Sequence, residues 1–216
     1  QRTWPFKDGF AIIKYDSFRY NFIDMKNKPL YDVEGFDSVS DFSEGYAVVK
    51  KNGKYQFLDK MGKITAKNTY QCARPFHEGV AAVMMGGKWG FINTLFKPAI
   101  PYSFDDVKEG FKEGKAAVMK DGLWGFIDMK GAVKIPIMYK DVHSFSTGLA
   151  AALQTDGKWG YINGMNLKSI AFKYDGATDF SEDFATVKSG DSWQFIDKAS
   201  KVVIPIKFVG ADKFIG

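Results

Sequence analysis

Short stretches of alternating apolar and polar residues recur along this chain at a fixed distance. Each has an aromatic residue at its first and third places, an aliphatic residue at its fourth, and Asp or Asn at its fifth. The six copies are Tyr20–Asp24, Tyr55–Asp59, Trp89–Asn93, Trp124–Asp128, Trp159–Asn163 and Trp193–Asp197. Because side chains alternate between the two faces of a β-strand, this pattern predicts a strand that is covered on both faces. Successive copies begin 34 or 35 residues apart, so the chain is a tandem repeat.

A second block precedes each of these strands and keeps the same register. It begins with Phe and ends with Ala five residues later, and its copies are Phe6–Ala11, Phe42–Ala47, Phe76–Ala81, Phe111–Ala116, Phe145–Ala150 and Phe180–Ala185. Between the two blocks lies a turn sequence such as Asn52-Gly53 or Asp121-Gly122, which favours the positive φ of a hairpin turn. The two blocks therefore predict a β-hairpin in every repeat.

A third, short strand is expected after the hairpin, around Val133–Ile137 in the fourth copy. Pro101, Pro136 and Pro205 fall at the same place in their copies. Proline has no N–H to donate to a strand ladder, so this strand is expected at a sheet edge or on a bulge. Each repeat is thus predicted to be a three-stranded β-meander.

One such unit is too small to enclose a core, so stability is expected to come from stacking of neighbouring units. We predict an all-β fold in which tandem three-stranded β-meander repeats stack as an open solenoid or superhelix. The alternative is a six-bladed, propeller-like closed array, although propeller blades usually take about 40 to 50 residues. Residues 1–216 are predicted to form a single repeat domain, with copies starting near residues 6, 42, 76, 111, 145 and 180 and a seventh starting at 214.

The Trp-Gly pairs at Trp89, Trp124 and Trp159 make this sequence resemble the WG-repeat family, which is named for that pair. The resemblance extends from about Phe6 to Phe208. It implies tandem β-rich units in bacterial proteins and implies no reaction. The departures from the pair are Tyr20-Asn21, Tyr55-Gln56 and Trp193-Gln194. The first two copies diverge most, as terminal repeats that cap a stack often do.

The amino-acid composition argues against several classes of function. The 216 residues include 30 Lys and Arg against 25 Asp and Glu, a net charge of +5. Nearly all the basic residues are lysines spread among acids, which argues against nucleic-acid binding. No apolar run approaches the ~18 residues that span a bilayer, so we expect a soluble chain with no transmembrane segment. Residues Gln1–Asp16 lack a signal-peptide pattern. A single cysteine excludes a disulfide framework and a Cys-based metal cluster.

The repeated polar residues are interpreted as structural. A catalytic site is a single asymmetric constellation, whereas Glu44, Glu78 and Glu113 recur from copy to copy and are replaced by Thr147 in the fifth. We therefore expect these acids to accept N–H groups of turns. We call the five-residue strand pattern the pentad. At its fifth place Asn substitutes for Asp, so a short side chain that accepts hydrogen bonds is needed there rather than a charge.

Other candidate site residues carry no chemical motif. The recurring tryptophans are interpreted as core residues in preference to aromatic platforms for a ligand. His77, His143 and Cys72 lack partners at metal-ligand or nucleophile spacing, and no glycine-rich loop has phosphate-binding spacing. We predict no catalytic, cofactor-binding or metal-binding residues.

The leading hypothesis is a non-enzymatic protein-binding or scaffold protein, an accessory subunit of a bacterial envelope or surface assembly. Repeat arrays offer wide surfaces and seldom a deep reactive pocket. The alternative is a carbohydrate- or cell-wall-binding module. The expected partner is accordingly another protein or a surface glycan, and not a nucleic acid. Localisation to the envelope or cell surface follows from the family resemblance, and a lipid anchor preceding Gln1 is compatible with it.

Contacts with the partner are expected in loops that differ between copies, because stacking constrains only the shared residues. Protein interfaces favour aromatic anchors, and lysines in the same loops add charge. The candidate partner-contact residues are Phe96, Tyr102, Phe104, Lys108, Met165 and Lys168.

Overall fold

The computed structural model describes residues 2–14, 19–31, 35–65 and 68–208. Over these residues the chain forms 22 β-strands and no helix. The strands make six separate antiparallel sheets, and within each sheet strands that follow one another in sequence are neighbours. The chain divides into two compact units, Gln1–Ser103 and Phe104–Gly216.

The first unit contains three sheets. The first sheet consists of β1 (Arg2–Thr3), β2 (Phe10–Lys14) and β3 (Tyr20–Asp24), and the second of β4 (Ser38–Ser43), β5 (Tyr46–Lys51) and β6 (Lys54–Asp59). The third sheet consists of β7 (Cys72–His77), β8 (Val80–Met85), β9 (Lys88–Asn93) and β10 (Pro98–Phe104).

The second unit contains three four-stranded sheets. The fourth sheet consists of β11 (Asp106–Lys112), β12 (Lys115–Lys120), β13 (Leu123–Asp128) and β14 (Val133–Tyr139). The fifth consists of β15 (Asp141–Val142), β16 (Leu149–Leu153), β17 (Trp159–Asn163) and β18 (Lys168–Tyr174). The sixth consists of β19 (Gly176–Ala177), β20 (Phe184–Ser189), β21 (Ser192–Asp197) and β22 (Val202–Phe208).

The predicted hairpins are confirmed. In the fourth sheet β12 pairs with β13 in unbroken register from Lys115↔Asp128 to Lys120↔Leu123. The turn between them has positive φ at both central residues, 52° at Asp121 and 78° at Gly122. This is the geometry that Asp-Gly favours in two-residue hairpins.

Each complete repeat has four strands, so the predicted count of three is too low. The additional strand is the first one, which pairs with the hairpin on the side opposite the third predicted strand and, in the second, third and fourth sheets, reaches into the Phe block. In the fourth sheet this strand is β11, and Val107↔Val118 and Phe111↔Ala116 are among its pairs with β12. Four strands fit within the 34- to 35-residue period because the connections between them are short.

The glycine of the Trp-Gly pair is explained by close contact with the fourth strand. A Cβ atom on Gly125 would lie 2.7 Å from the carbonyl oxygens of Ile135 and Pro136 and 2.7 Å from the Cα of Ile137. The register between β13 and β14 shifts at this point, between Trp124 and Phe126. Pro136 therefore lies on a bulge in an edge strand, as its lack of an N–H predicts.

The first two sheets have three strands among the described residues, and their pentads carry a side chain where others carry glycine. Asn21 turns its amide to the backbone, donating from Nδ2 to the Tyr31 carbonyl oxygen at 2.8 Å. The segment after β6 contributes only the isolated bridges Tyr55↔Tyr70 and Leu58↔Ile64. The sixth sheet retains β22 although Gln194 replaces glycine, so glycine is not the sole determinant of the fourth strand.

The core lies between successive sheets within each unit. A cluster of buried residues joins the fourth and fifth sheets and includes Phe126, Ile135, Val142 and Phe145. The rings of Phe126 and Phe145 pack edge to face with centroids 4.9 Å apart. The equivalent pair between the fifth and sixth sheets, Tyr161 and Phe180, has the same spacing of 4.9 Å. Stacking of neighbours therefore encloses the core, as the sequence predicts.

The all-β repeat fold is confirmed, and separate small sheets without a closed barrel among the described residues are compatible with the predicted open stacked array. The single repeat domain over residues 1–216 stays a prediction beside the two compact units. The seventh copy predicted to start at residue 214 lies outside the described residues.

Candidate functional site

Three of the four repeated tryptophan rings, those of Trp89, Trp124 and Trp159, contact a residue of the first strand or of the segment that follows it. Trp89 is 5% exposed and Trp124 6% exposed, which confirms that both are core residues. The covering groups occupy the same place in three repeats, one residue after Ala73, Val107 and Val142. They are the Arg74 guanidinium 5.2 Å from the Trp89 ring centroid, the Lys108 ammonium 4.3 Å from that of Trp124, and the His143 ring 5.1 Å from that of Trp159.

A cavity of about 240 Å³ lies among the first strands of the second unit. It is lined by residues of β11, by the end of β15 with the two residues that follow it, and by a residue just after β19. The lining residues are Lys108, Glu109, Val142, His143, Ser144 and Asp179. Residues of the fourth, fifth and sixth sheets therefore meet at one place.

Two polar contacts between neighbouring repeats border this cavity. The Lys108 ammonium lies 2.7 Å from Oδ1 of Asp141, which belongs to the next repeat. The Nδ1 of His143 lies 2.8 Å from Oδ1 of Asp179, again one repeat further on. Lys112 also forms an ion pair with Glu109. These contacts hold the charged lining in a defined arrangement, because each group has a fixed partner.

A second feature, present in both units, is the turn between the third and fourth segments of each repeat. Each of the first five turns carries at least one exposed Met or Leu, and we call these residues the turn-tip row of their unit. In the first unit the members are Met25 (80% exposed), Met61 (84%) and Leu95 (72%), and in the second unit they are Met129 (39%), Met165 (74%) and Leu167 (56%). Large exposed apolar side chains therefore recur at this place in successive repeats.

The turns that carry the row have a common conformation. The Asp or Asn that ends the third strand accepts two backbone hydrogen bonds, as at Asp128, whose Oδ1 accepts from Lys130 N and Ala132 N at 2.9 Å. The Ala132 amide, chiefly, holds the pKa of the Asp128 carboxyl below its usual value. Exposed lysines lie in or directly after these turns, namely Lys26, Lys28, Lys60, Lys63, Lys97, Lys130 and Lys168. The row is thus flanked by positive charge.

Three of the six predicted contact residues pack against the core. Phe104 is 7% exposed. The Phe96 ring packs edge to face on Tyr46, with centroids 5.2 Å apart, and on Phe76. Tyr102 packs against the same cluster, and burial raises the pKa of its hydroxyl. Little of these rings is left for a partner, and their role in partner contact stays a prediction.

The other three predicted residues lie on the two surfaces described above. Met165 belongs to the turn-tip row, Lys168 is exposed beside it, and Lys108 lines the cavity. Sequence reasoning missed the remaining members of the row and the cavity residues His143, Ser144 and Asp179. The row was visible in the sequence as a Met or Leu within two residues after the Asp or Asn that ends each of the first five pentads.

Neither a membrane-spanning helix nor a metal-binding group is found in the part of the chain that the structure describes. No helix there has the length and apolar character needed to cross a bilayer. No three His, Cys, Asp or Glu side chains among the same residues are grouped so that they could hold a metal ion.

Several solved structures share this fold. The computationally designed Ika8 protein has a TM-score of 0.61 and 13% identity, over 96% of this chain and 73% of that one. BamB from Moraxella catarrhalis has a TM-score of 0.57 and 14% identity, over 94% and 74%. Hsv2p from Kluyveromyces lactis has a TM-score of 0.55 and 10% identity, over 88% and 71%. The structural neighbours are β-propeller-like repeat proteins, and identities this low show likeness of fold alone.

Sequence comparison identifies the family. No curated protein matches the sequence. The family described as WG containing repeat matches five consecutive segments, at residues 22–55, 57–89, 89–124, 124–159 and 159–193. These matches follow the period of the sheets and span most of the chain. The chain belongs to the WG-repeat family.

Proposed function

We propose that this chain is a non-enzymatic protein-binding scaffold whose partner docks on the turn-tip row of either unit. The observation that carries the proposal is the recurrence of at least one exposed Met or Leu in five successive turns. Exposed apolar groups at a regular place favour removal from water by a partner, and methionine adapts to varied partner surfaces. The fold supports a binding role, because repeat proteins use extended surfaces for protein interaction.

The chemistry of the row indicates the character of the partner. Exposed lysines flank the apolar tips, so a partner segment with apolar side chains bordered by Asp or Glu is complementary in both respects. Two lysines at this place in the repeat already contact carboxylates, Lys60 with Asp8 at 3.6 Å in the second turn and Lys198 with Asp183 at 3.3 Å in the equivalent turn of the sixth repeat. Both pairs are largely exposed, where ion pairs contribute little stability, so a partner carboxylate could exchange with them at low cost.

We further propose that the assembly is a bacterial envelope or surface complex in which this chain is an accessory subunit. This location rests on the WG-repeat family, whose members are bacterial proteins built from such units. A partner of fixed stoichiometry is expected from an array whose tips repeat at a fixed interval.

The test is affinity purification from the native bacterium in detergent, with the wild-type chain and the Met61→Ser/Met165→Ser variant as baits. We expect a stoichiometric protein that co-elutes with the wild type and is lost from the double variant. The matched control is Met138→Ser, which removes a methionine that is 47% exposed but lies in β14 rather than in a turn.

The outcomes separate the parts of the proposal. A partner that stays with the double variant would show that docking uses another surface. The absence of any stoichiometric protein would contradict the scaffold role and favour the carbohydrate- or cell-wall-binding alternative. No contact in the structure favours that alternative, since Arg74 and Lys108 cover the rings of Trp89 and Trp124. Quenching of tryptophan fluorescence by a soluble glycan would support it.

A further inference from the structure

Arg74, in β7, has a buried nitrogen atom without a hydrogen-bond partner. Its Nε is the one such side-chain atom among the residues that the structure describes. The side chain as a whole is half-buried, and no hydrogen bond or ion pair joins it to any described residue. Buried polar groups in proteins are normally paired, and a guanidinium is always charged. This arrangement therefore indicates an anion that comes from outside the described chain.

The guanidinium group of Arg74 is held over an aromatic ring. It lies 5.2 Å from the centroid of the Trp89 ring, and Trp89 is itself 5% exposed. The ring keeps water from one face of the guanidinium and leaves its N–H groups free to donate in the guanidinium plane. The two terminal nitrogens lack partners as well but are not buried, so they remain open to a ligand.

The corresponding place in the second unit combines a ring, an N–H donor and a carboxylate. Lys108 lies 4.3 Å from the Trp124 ring centroid, and its ammonium is 2.7 Å from Oδ1 of Asp141. His143, in the next repeat, also lies beside a tryptophan ring, with its Nδ1 2.8 Å from Oδ1 of Asp179. In the third repeat the ring and the cation are present, but no described carboxylate contacts the cation. A carboxylate is thus the group that this place in the repeat lacks.

A cation over a ring does not by itself define such a place. Lys50, in β5 of the same unit, also lies 5.2 Å from a ring centroid, that of Tyr55. Its ammonium is not a buried atom, and it comes from the second strand of its repeat rather than the first. Water can therefore solvate the Lys50 ammonium, whereas Nε of Arg74 has neither water nor an acceptor.

We propose that Arg74 binds a carboxylate group of a partner protein. Its two terminal nitrogens can donate parallel N–H bonds to the two oxygens of one carboxylate, a pairing that the guanidinium fork favours. A carboxylate carries one negative charge, which balances the single charge of the guanidinium. A phosphate monoester carries about 1.5 to 2 negative charges at neutral pH, so it matches this single cation less well. The carboxylate is either an acidic side chain or the C-terminus of the partner chain.

This inference rests on the proposed scaffold function for the source of the carboxylate. Arg74 and Trp89 lie in β7 and at the start of β9, whereas the turn-tip row lies in the turns that follow the third strands, so the two contacts use different parts of the repeat. Because the test uses small probes, it needs no partner protein. A negative pull-down and a negative titration are therefore separate results.

The experiment is an NMR titration of the whole chain with the α-amide of N-acetylaspartate, followed at the Arg74 Nε–H and at the Trp89 indole N–H. The chain contains three arginines, Arg2, Arg19 and Arg74, so the Nε–H signals are readily assigned. We expect saturable shifts of both signals. A parallel titration with N-acetylglycine identifies the source, since tighter binding of the aspartate probe assigns an acidic side chain and tighter binding of N-acetylglycine assigns a C-terminus.

Three variants test the role of the guanidinium. Arg74→Gln should weaken binding about tenfold or more, measured at the Trp89 indole, because the charge and the paired N–H donors are both lost. Arg74→Lys keeps the charge without the paired donors and should also weaken binding. Lys50→Gln is the matched control, since it removes a cation that lies over a ring at the same 5.2 Å in the same unit, and binding should stay unchanged. Equal weakening by Lys50→Gln would mean a general effect of charge and would overturn the proposal.

Measurements on the wild-type chain do not depend on the folding of any variant. The α-amide of N-acetylasparagine has the shape of the aspartate probe without its charge, and we expect no saturable shift with it. Inorganic phosphate should bind more weakly than either carboxylate probe. Equal binding of the asparagine probe, tighter binding of phosphate, or no saturable shift with either carboxylate probe would overturn the proposal. So would an Arg74 Nε–H signal that already has, in the free protein, the position typical of a carboxylate pair.

Discussion

The carboxylate of Glu113 accepts a hydrogen bond from the backbone N–H of Gly148, with Oε2 and N 3.0 Å apart and 35 residues between them. The same bond joins Glu44 to Gly79 at 2.9 Å. The acid of one Phe block therefore caps the equivalent turn of the next repeat. This confirms that the recurring glutamates accept turn N–H groups, and it adds that the turn belongs to a neighbour.

Replacement of Glu113 by Ala is expected to destabilise the protein by about 1 kcal/mol, because the Gly148 amide loses its acceptor. Glu182→Ala is the control, since its φ of 54° matches the 52° of Glu113 and no described residue provides it with an equivalent amide. Urea denaturation of the two variants measures the difference. Equal losses would assign the effect to the backbone conformation rather than to the bond between repeats.

Gly125→Ala is expected to lower the free energy of unfolding by about 2 kcal/mol or more, since the new Cβ would lie 2.7 Å from three backbone atoms of β14. Backbone atoms in a ladder move less readily than a side-chain end. The matched control is Gly164→Ala, whose Cβ would meet only the flexible end of Lys115 at 3.0 Å. Thermal denaturation of both variants provides the comparison, and a Gly125 variant as stable as the control would refute this explanation of the Trp-Gly pair.

The hairpin of each repeat could be predicted because its strands are long and regularly patterned. Phe126 and Ile127 are both fully buried, as expected for apolar residues on opposite faces of a strand that is covered on both sides. The first strand was missed because it carries little pattern. β15 and β19 are two residues long, and β11 contains Asp106, Glu109 and Gly110. From sequence pattern alone, such segments cannot be distinguished from loops, because only their pairing with the next strand makes them strands.

The cavity could not be predicted because it depends on the alignment of neighbouring repeats in space. Gly110, with φ of 131°, lies where the register of β11 and β12 shifts between Val107 and Phe111. When the repeats are aligned on the Phe of the Phe block, His143 falls opposite Glu109 rather than opposite Lys108. The bulge in β11 adds one residue before that Phe. When this residue is allowed for, Glu109, Ser144 and Asp179 are at equivalent positions.

Tyr161 is expected to make the protein sensitive to alkaline pH. Its hydroxyl donates to the Thr178 carbonyl oxygen at 2.8 Å, and burial raises the pKa of the phenol far above its usual value. The stabilisation is complete below the ordinary tyrosine pKa of about 10 and is lost as the pH rises above it, because only the unfolded chain releases this proton readily.

Tyr161→Phe tests this expectation. At neutral pH the variant should be about 1 kcal/mol less stable, because the hydrogen bond is lost. Above pH 10 the difference between the two proteins should shrink, since the variant has no phenol to ionise there. Denaturation curves at neutral and alkaline pH measure both values. A difference that stays constant with pH would contradict the raised pKa.

Asn163→Ala is expected to cost about 1 kcal/mol, because the Asn163 side chain accepts from Met165 N and Leu167 N, both at 3.0 Å. Asn163→Asp should be nearly neutral, since Asp128 accepts the equivalent pair of bonds in the preceding repeat. Urea denaturation separates the two variants. A large loss with Asp would show that charge matters at this place after all.

Thr147 occupies the place that Glu or Asp takes in the other Phe blocks, and its φ of 51° lies in the left-handed region. A β-branched residue is rarely found there, whereas Asn tolerates that conformation. Thr147→Asn is therefore expected to raise the free energy of unfolding by about 0.5 to 1 kcal/mol. The control is Thr155→Asn, at an exposed site whose φ is not positive, where the same exchange should change little. Denaturation by urea compares the variants, and a gain at both sites would mean that relief of backbone strain is not the cause.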